Sequence, residues 1–96
     1  MPSKRSLATA LKQARRARGL SQEAFGDVSS RTYMSSLERG MKNPTLSKIA
    51  AICQVLDLHP LTLLTLSYTG ANITQVEALA ARVRREILAL DQSRKR

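Results

Sequence analysis

The sequence predicts an all-α protein, in which a domain of five short helices is followed by one longer amphipathic helix. Apolar residues recur at steps of three and four along most of the 96 residues, as they do on one face of a helix. The hydrophobic content of 43% is almost wholly aliphatic, since only 3% of the residues are aromatic, and this balance suits packed helices. Glycines and capping residues divide the periodic segments at helix-length intervals.

The formal charge of +9 is high for this length and indicates a polyanionic partner, either nucleic acid or an anionic membrane surface. Residues 1–18 hold six bases and no acid, and residues 82–96 hold six bases and two acids, whereas the middle is nearly neutral. The sequence has no signal-like segment, no apolar run of about 18 residues, and one cysteine without a disulfide partner. We therefore expect a soluble cytoplasmic protein that does not enter a membrane.

The first two helices are predicted on either side of Gly19, which ends the first helix as a C-terminal cap. Ser21 is a suitable N-cap for a short second helix, in which Ala24 and Phe25 are expected to turn inward. The core-facing residues of the first helix are Leu7, Ala10, Leu11 and Ala14. Two short helices joined by a tight turn, here the second and third, form a helix-turn-helix candidate.

Three further helices complete the predicted domain. The third is capped by Ser30 and runs to Leu37 or Arg39 before Gly40. The fourth is capped by Thr45 and runs to Leu56, and the fifth starts at His59-Pro60 and ends near Leu66. The apolar stripe expected on the fourth helix is Leu46, Ile49, Ala50, Ile52, Cys53 and Leu56. We expect Cys53 to be a core residue, and one histidine with one cysteine provides no metal site.

The last helix is predicted to be separate from this domain. The sequence is expected to divide into a domain at 1–66, a linker at 67–72 containing Gly70, and a helix with a basic tail at 73–96. Asn72 with Gln75, or Thr74 with Glu77, fits a capping arrangement at the start of the helix. The apolar seam of this helix, which is heptad-spaced, is Ile73, Val76, Ala80, Val83, Ile87 and Leu90, with Leu79 beside it. The seam either packs on its own domain or pairs with a second copy, and we favour a homodimer.

The third helix has two unlike faces when its residues are placed at about 100° steps. Tyr33, Met34 and Leu37 fall on one side, and small hydroxyl side chains and arginines fall on the other. Groups of this kind, without an acid among them, can bond to base edges without repelling phosphates. Glu38 lies at the edge of the apolar face, where an unpaired carboxylate would be costly, so it should have a cationic partner. Arg15 in the first helix is the candidate.

Several segments between Leu7 and Leu66 resemble the Xre or lambda-repressor-like (Cro/C1-type) family of helix-turn-helix transcriptional regulators. They are Arg15, Leu20-Ser21-Gln22-Glu23, RTYMSSLERG at 31–40, Asn43-Pro44-Thr45-Leu46 and LDLHPLTLL at 56–64. The resemblance implies a sequence-specific DNA-binding regulator that acts as a homodimer on a palindromic operator, without a cofactor. It also implies that Arg15 pairs with Glu38.

The resemblance further implies which residues contact DNA. Base reading would fall to Arg31, Thr32, Ser35 and Ser36, with Arg31 bonding to O6 and N7 of a guanine. Phosphate binding would fall to Gln22, Ser30, Tyr33, Arg39, Lys42 and Asn43. The basic residues of 3–5 could add an N-terminal arm.

The chain departs from the family pattern in one place. The spacing between Ser21-Gln22 and Arg31-Thr32-Tyr33 is two residues shorter than is usual, so we expect a shortened second helix or turn. Two alternative functions stay open: an antitoxin-type autorepressor that neutralises a partner protein, and a weakly selective, nucleoid-like DNA binder. We do not expect an enzyme, because the acidic, histidine, cysteine and serine residues form no recognisable catalytic constellation.

Overall fold

A computed structural model describes residues 4–94, with side chains from Ser6 onward. No β-strand occurs among these residues, and the all-α prediction is confirmed. The predicted N-terminal arm and the end of the basic tail fall partly or wholly outside the described residues. The elements are α1 (Lys4–Ala17), a 3-10 helix (Gln22–Phe25), α2 (Arg31–Glu38), α3 (Leu46–Leu56), α4 (Pro60–Thr69) and α5 (Ile73–Arg94).

The core is formed where α1 packs across α4 and against α2, while the 3-10 helix and α3 close the remaining side. The predicted inner face of α1 is correct, since Ala10, Leu11 and Ala14 are buried in this core. Cys53 is buried as well, and burial raises the pKa of its thiol, which fits the expected role of a small core residue. The largest fully buried side chains are Phe25, Met34, Ile52, Leu56, Leu63 and Cys53.

Side-chain caps fix the starts of three helices where they were predicted. The Oγ of Ser30 accepts the Tyr33 N–H at 3.0 Å, and Oγ1 of Thr45 accepts the Lys48 N–H at 3.1 Å. The His59 ring caps α4 by accepting an N–H through Nδ1, also at 3.0 Å. These bonds satisfy amide groups that have no partner within the helix.

The second helix is shorter than an α-helix. It is a single 3-10 turn of four residues, which agrees with the shortened spacing in the sequence. Ser21 makes no side-chain capping bond, and one turn can direct only Phe25 into the core, so the predictions that Ser21 caps and that Ala24 turns inward are wrong. Leu46, 72% exposed, and Ala50, also exposed, likewise lie outside the core stripe predicted for α3.

The predicted linker at 67–72 is too long. Helix α4 continues past Leu66 to Thr69, and the hydroxyl groups of buried Ser67 and Thr69 donate to carbonyl groups one turn earlier, at 2.6 and 2.8 Å. These hydroxyl groups form their hydrogen bonds within the helix. The polar residues after Leu66 can therefore continue α4 instead of ending it. Gly70, with a φ of 61°, ends the helix, and Asn72 caps α5 by accepting the N–H of Gln75.

Helix α5 extends away from the domain. The described chain measures 49 by 27 by 23 Å, and no residue of α5 is buried. Val76 and Leu79 are half-buried, whereas the seam residues from Ala80 to Leu90 are exposed. No single helix within 4–94 is long and apolar enough to cross a membrane; α3 and α4 reach that length only as a pair bent by 101°.

Candidate nucleic-acid interface

Helix α2 presents its first turn to solvent. Met34 and Leu37 fix its inner face in the core, so that Arg31 and Thr32 are exposed on the outer side. The Ser30 cap and Gly40, with a φ of 73°, define the two ends of this short element. The helix therefore offers a guanidinium and a hydroxyl at its N-terminal end, which are groups that can bond to base edges.

A buried ion pair joins α2 to α1. Nε and Nη2 of Arg15 donate to the two carboxylate oxygens of Glu38 at 2.6 and 2.9 Å, and the side chains are only 13% and 4% exposed. Nη1 of Arg15 donates to the carbonyl of Leu20 at 2.8 Å, which ties the same guanidinium to the segment after α1. The parallel bonds are the strong bidentate arrangement of an arginine with a carboxylate.

The pair keeps Glu38 ionised despite its burial. Burial raises the pKa of Glu38, but the hydrogen bonds from Arg15 and Gln22, together with the charge of Arg15, outweigh burial and hold the pKa below its ordinary value. The hydrogen bond with Glu38 likewise raises the pKa of Arg15. Both groups are therefore charged near neutral pH, and α2 is fixed at this angle to α1.

Gln22 connects the ion pair to the surface. Its Nε2 donates to Glu38 at 3.3 Å, so the side chain that was expected to bind phosphate also belongs to the buried cluster. A carboxamide has a second N–H and a carbonyl oxygen. Gln22 can therefore be oriented by Glu38 and still donate a bond outward.

Arg31 has a partner within the chain. Its Nη1 lies 3.1 Å from Oε1 of Glu23, and the two side chains are 72% and 71% exposed. No sequence pattern indicates this contact, because the two residues belong to different elements on either side of an irregular turn. An exposed pair of this kind is weak, so the guanidinium can leave Glu23 for another acceptor.

One predicted base-reading residue lies on the inner side of α2. Ser36 is only 8% exposed, because it lies beside Leu37 on the side that turns into the domain, and this burial counts against the prediction that it reads bases. Ser35 is half-buried. The exposed candidates are therefore limited to the first turn of the helix.

The predicted phosphate-binding residues lie in two places. Ser30 and Tyr33 are at the start of α2, where Ser30 already serves as the cap, and Tyr33 packs partly against the core. Arg39, Lys42 and Asn43 are exposed at and after the other end of the helix. One group therefore lies at the first turn of α2, and the other lies at and beyond its C-terminal end.

Two cations that sequence analysis did not single out have structural positions. Nζ of Lys48 donates to the carbonyl of Val28 at 2.7 Å and lies 5.3 Å from the centre of the Tyr33 ring, which fastens the turn before α2 to α3. Arg18 donates to the carbonyls of Leu56 and Asp57 at 2.9 and 3.0 Å, and so caps the C-terminal end of α3. Both contacts join segments far apart in the sequence, and no local pattern marks them.

Comparison with known proteins agrees with this geometry. A family model described as helix-turn-helix matches residues 11–63, which is more than half of the chain. The restriction-modification controller protein C.AhdI from Aeromonas hydrophila is 32% identical, with a TM-score of 0.59 over 62% of this chain and 94% of that one. No curated protein sequence matches significantly.

The fold is also similar to two crystal structures of the clp gene regulator ClgR from Corynebacterium glutamicum, each 24% identical. One has a TM-score of 0.65, covering 71% of this chain and 91% of that one; the other has 0.66, covering 83% and 87%. At this identity the similarity concerns the fold alone.

Proposed function

Since the chain belongs to the Cro/C1-type helix-turn-helix family and is a DNA-binding transcriptional regulator, we propose that it binds a palindromic operator as a cytoplasmic homodimer. Helix α2 of each subunit would enter the major groove, and the twofold axis of the protein would coincide with that of the operator.

The exposed first turn of α2 supports the assignment of base reading to Arg31 and Thr32. Arg31 would leave Glu23 and donate two bonds to O6 and N7 of a guanine, which discriminates by about 1 to 3 kcal/mol against other bases. Thr32 offers a hydroxyl and a methyl group beside it. Half-buried Ser35 would contribute from the second turn.

The flanking residues support a phosphate-binding role. Gln22 has a donor left after its bond to Glu38, and exposed Lys42 and Asn43 lie beyond the other end of α2. Arg39 adds a positive charge at that end, and Ser30 and Tyr33 lie at the first. Contacts on both sides of the reading turn would fix its register on the duplex and give affinity that falls with salt.

The exposed seam of α5 carries the homodimer part of the proposal. Ile73, Ile87 and Leu90 are 67%, 59% and 70% exposed, although they are heptad-spaced with apolar residues between them. A helix with such a face is stabilised when the face is buried against another apolar face. Of the two arrangements open from the sequence, pairing with a second copy is favoured, because the seam residues beyond Leu79 are exposed.

The DNA part can be tested by selecting bound duplexes from a random pool at a stated salt concentration. The selected site should be palindromic, with half-site centres separated by about 34 to 36 Å or a multiple of it. Arg31→Ala should then lose affinity for the selected site but little for a site whose guanine is replaced. An equal loss on both sites would make Arg31 a phosphate contact only.

The dimer part can be tested by introducing one acid into α5. Ile87→Asp should shift the protein from dimer to monomer in light scattering, because it places a charge in the seam. Ala89→Asp is the matched control, since Ala89 is exposed and lies off the seam on the same helix. A dimer that survives Ile87→Asp would contradict pairing through α5.

The same experiments separate the two alternative functions. An affinity ratio near one between the selected site and random duplex would indicate a weakly selective DNA binder. A different chain that co-purifies in fixed stoichiometry and competes with DNA would indicate an antitoxin-type regulator.

A further inference from the structure

The apolar seam of α5 has two flanks with different side chains. The first flank consists of Glu77, Arg84 and Asp91, which come one residue after the seam residues Val76, Val83 and Leu90. The second flank includes Leu79 and Glu86, which come one residue before the seam residues Ala80 and Ile87. In paired helices such flanking charges set the partner and its orientation, because they meet across the edges of the interface.

Two of these charges have partners within α5, and two do not. Glu86 lies 3.4 Å from Arg82, and Asp91 lies 3.7 Å from Arg94. Among the residues that the structure describes, Glu77 and Arg84 form no ion pair. The positions three and four residues away hold no opposite charge, since those around Glu77 are Ile73, Thr74, Ala80 and Ala81, and those around Arg84 are Ala80, Ala81, Ile87 and Leu88.

Building on the homodimer proposed above, we propose that two α5 helices pair antiparallel, with Ile73 opposite the partner's Leu90. In this register Val76 faces the partner's Ile87, and Ala80 faces the partner's Val83, so every seam residue has an apolar counterpart. Glu77 then lies beside the partner's Arg84. Twofold symmetry repeats this ion pair at the other end of the interface.

The charges favour this orientation over a parallel pair. In an antiparallel pair each flank meets the same flank of the partner, so the first flank brings Glu77 and Arg84 together. In a parallel pair the second flank of one helix meets the first flank of the other, which places Glu86 beside the partner's Asp91. Twofold symmetry repeats this contact, so a parallel pair contains two repulsions between carboxylates. It also leaves both Glu77 and Arg84 without an oppositely charged partner.

The surface next to the seam supports the same register. A groove of about 660 Å³ lies between α4 and the start of α5, and Ile73 and Val76 belong both to this groove and to the seam. The partner's Leu90 would lie over Ile73, so the last turn of the partner helix would extend along the groove towards Leu61, which is 63% exposed. The apolar surface used by the pair is therefore continuous from α4 to the end of the seam.

The antiparallel pair also separates the two DNA-binding domains. At about 1.5 Å per residue, the two Ile73 residues would be about 26 Å apart along the helix pair. Each domain continues outward from that point, which suits half-sites about 34 to 36 Å apart. A parallel pair would place both domains at one end.

The test is a charge exchange measured on the full-length protein by sedimentation equilibrium at low salt. Glu77→Arg and Arg84→Glu should each weaken the dimer about tenfold, because each converts two attractions into two repulsions. The double variant Glu77→Arg with Arg84→Glu should recover the dissociation constant of the original protein. Arg85→Glu is the matched control, since the neighbouring Arg85 is exposed and points away from the seam.

The possible outcomes distinguish this inference from the proposed function. Weakening by the single variants with recovery in the double variant supports the antiparallel register. A stable dimer that is unaffected by the single variants, or is not recovered in the double variant, overturns the register and leaves the homodimer intact. A protein that is monomeric at all concentrations overturns both, and DNA selection then reports on the rest of the proposed function separately.

Discussion

Arg15 of α1 and Glu38 of α2 form a bidentate ion pair that holds α2 on the rest of the domain. The pair is nearly enclosed, and Gln22 and the Leu20 carbonyl complete its hydrogen bonds. A buried pair with its bonds satisfied contributes less to stability than its removal suggests, because breaking it leaves one charge buried alone. Its clearest effect is geometric, since it fixes the angle of α2.

Removing one partner of this pair should be strongly destabilising. Glu38→Ala should lower the free energy of unfolding by about 3 kcal/mol, because Arg15 stays buried without its counterion. Glu86→Ala, which removes an exposed pair, should cost less than about 1 kcal/mol. Urea denaturation measures both. Replacing the pair together, as Arg15→Met with Glu38→Leu, should recover most of the loss, and a double variant as unstable as Glu38→Ala would argue against this reason.

Acid should weaken the domain through Glu38. Because the pKa of Glu38 in the folded protein lies below its ordinary value of 4.5, its contribution is present above that value and is lost as the pH falls through the folded pKa. The stability difference between the original protein and Glu38→Gln should therefore shrink as the pH falls below about 4.5. Thermal unfolding followed from about pH 7 down to about pH 3 would measure it. A difference that stays constant over this range would exclude Glu38 as the titrating group.

Releasing Arg31 from Glu23 should strengthen DNA binding. Glu23→Gln removes the exposed partner of the guanidinium and should tighten binding to the selected operator by up to about fivefold at low salt. Asp27→Asn is the control, because it also removes one negative charge near α2 but from a residue outside the pair. Fluorescence anisotropy on labelled duplex measures both variants. Equal gains would show that net charge, and not the pair, limits the affinity.

Arg18 should contribute to stability as the cap of α3. Arg18→Ala removes two charge-assisted bonds to the Leu56 and Asp57 carbonyls and should cost about 1.5 kcal/mol of unfolding free energy. Arg16→Ala, at an exposed position near the end of α1, should change it by less than about 0.5 kcal/mol. Chemical denaturation distinguishes the two. If both variants lost the same amount, the bonds from Arg18 to the two carbonyls would not explain its contribution.

The caps and the inner faces of the helices were predictable because they depend on neighbours within one or two turns. Ser30, Thr45 and Asn72 cap the helices that follow them, and the periodic positions of α1 are buried as expected. The ion pair between Arg15 and Glu38 was also predictable, since a carboxylate at the edge of an apolar face requires a cation. The periodic pattern placed Ser36 on the polar face of α2, whereas the structure buries it. A helix of two turns is too short for the pattern to show how far its inner face extends around the axis.

The helical class, most of the caps and the two unlike faces of α2 follow from the sequence alone, since each is a local preference of the chain. The contact of Arg31 with Glu23, the cap of α3 by Arg18 and the bond from Lys48 to the turn before α2 arise only when the helices pack together. These contacts join segments separated by eight, thirty-eight and twenty residues. Their geometry depends on how the helices pack, and no periodic pattern within one helix specifies that packing.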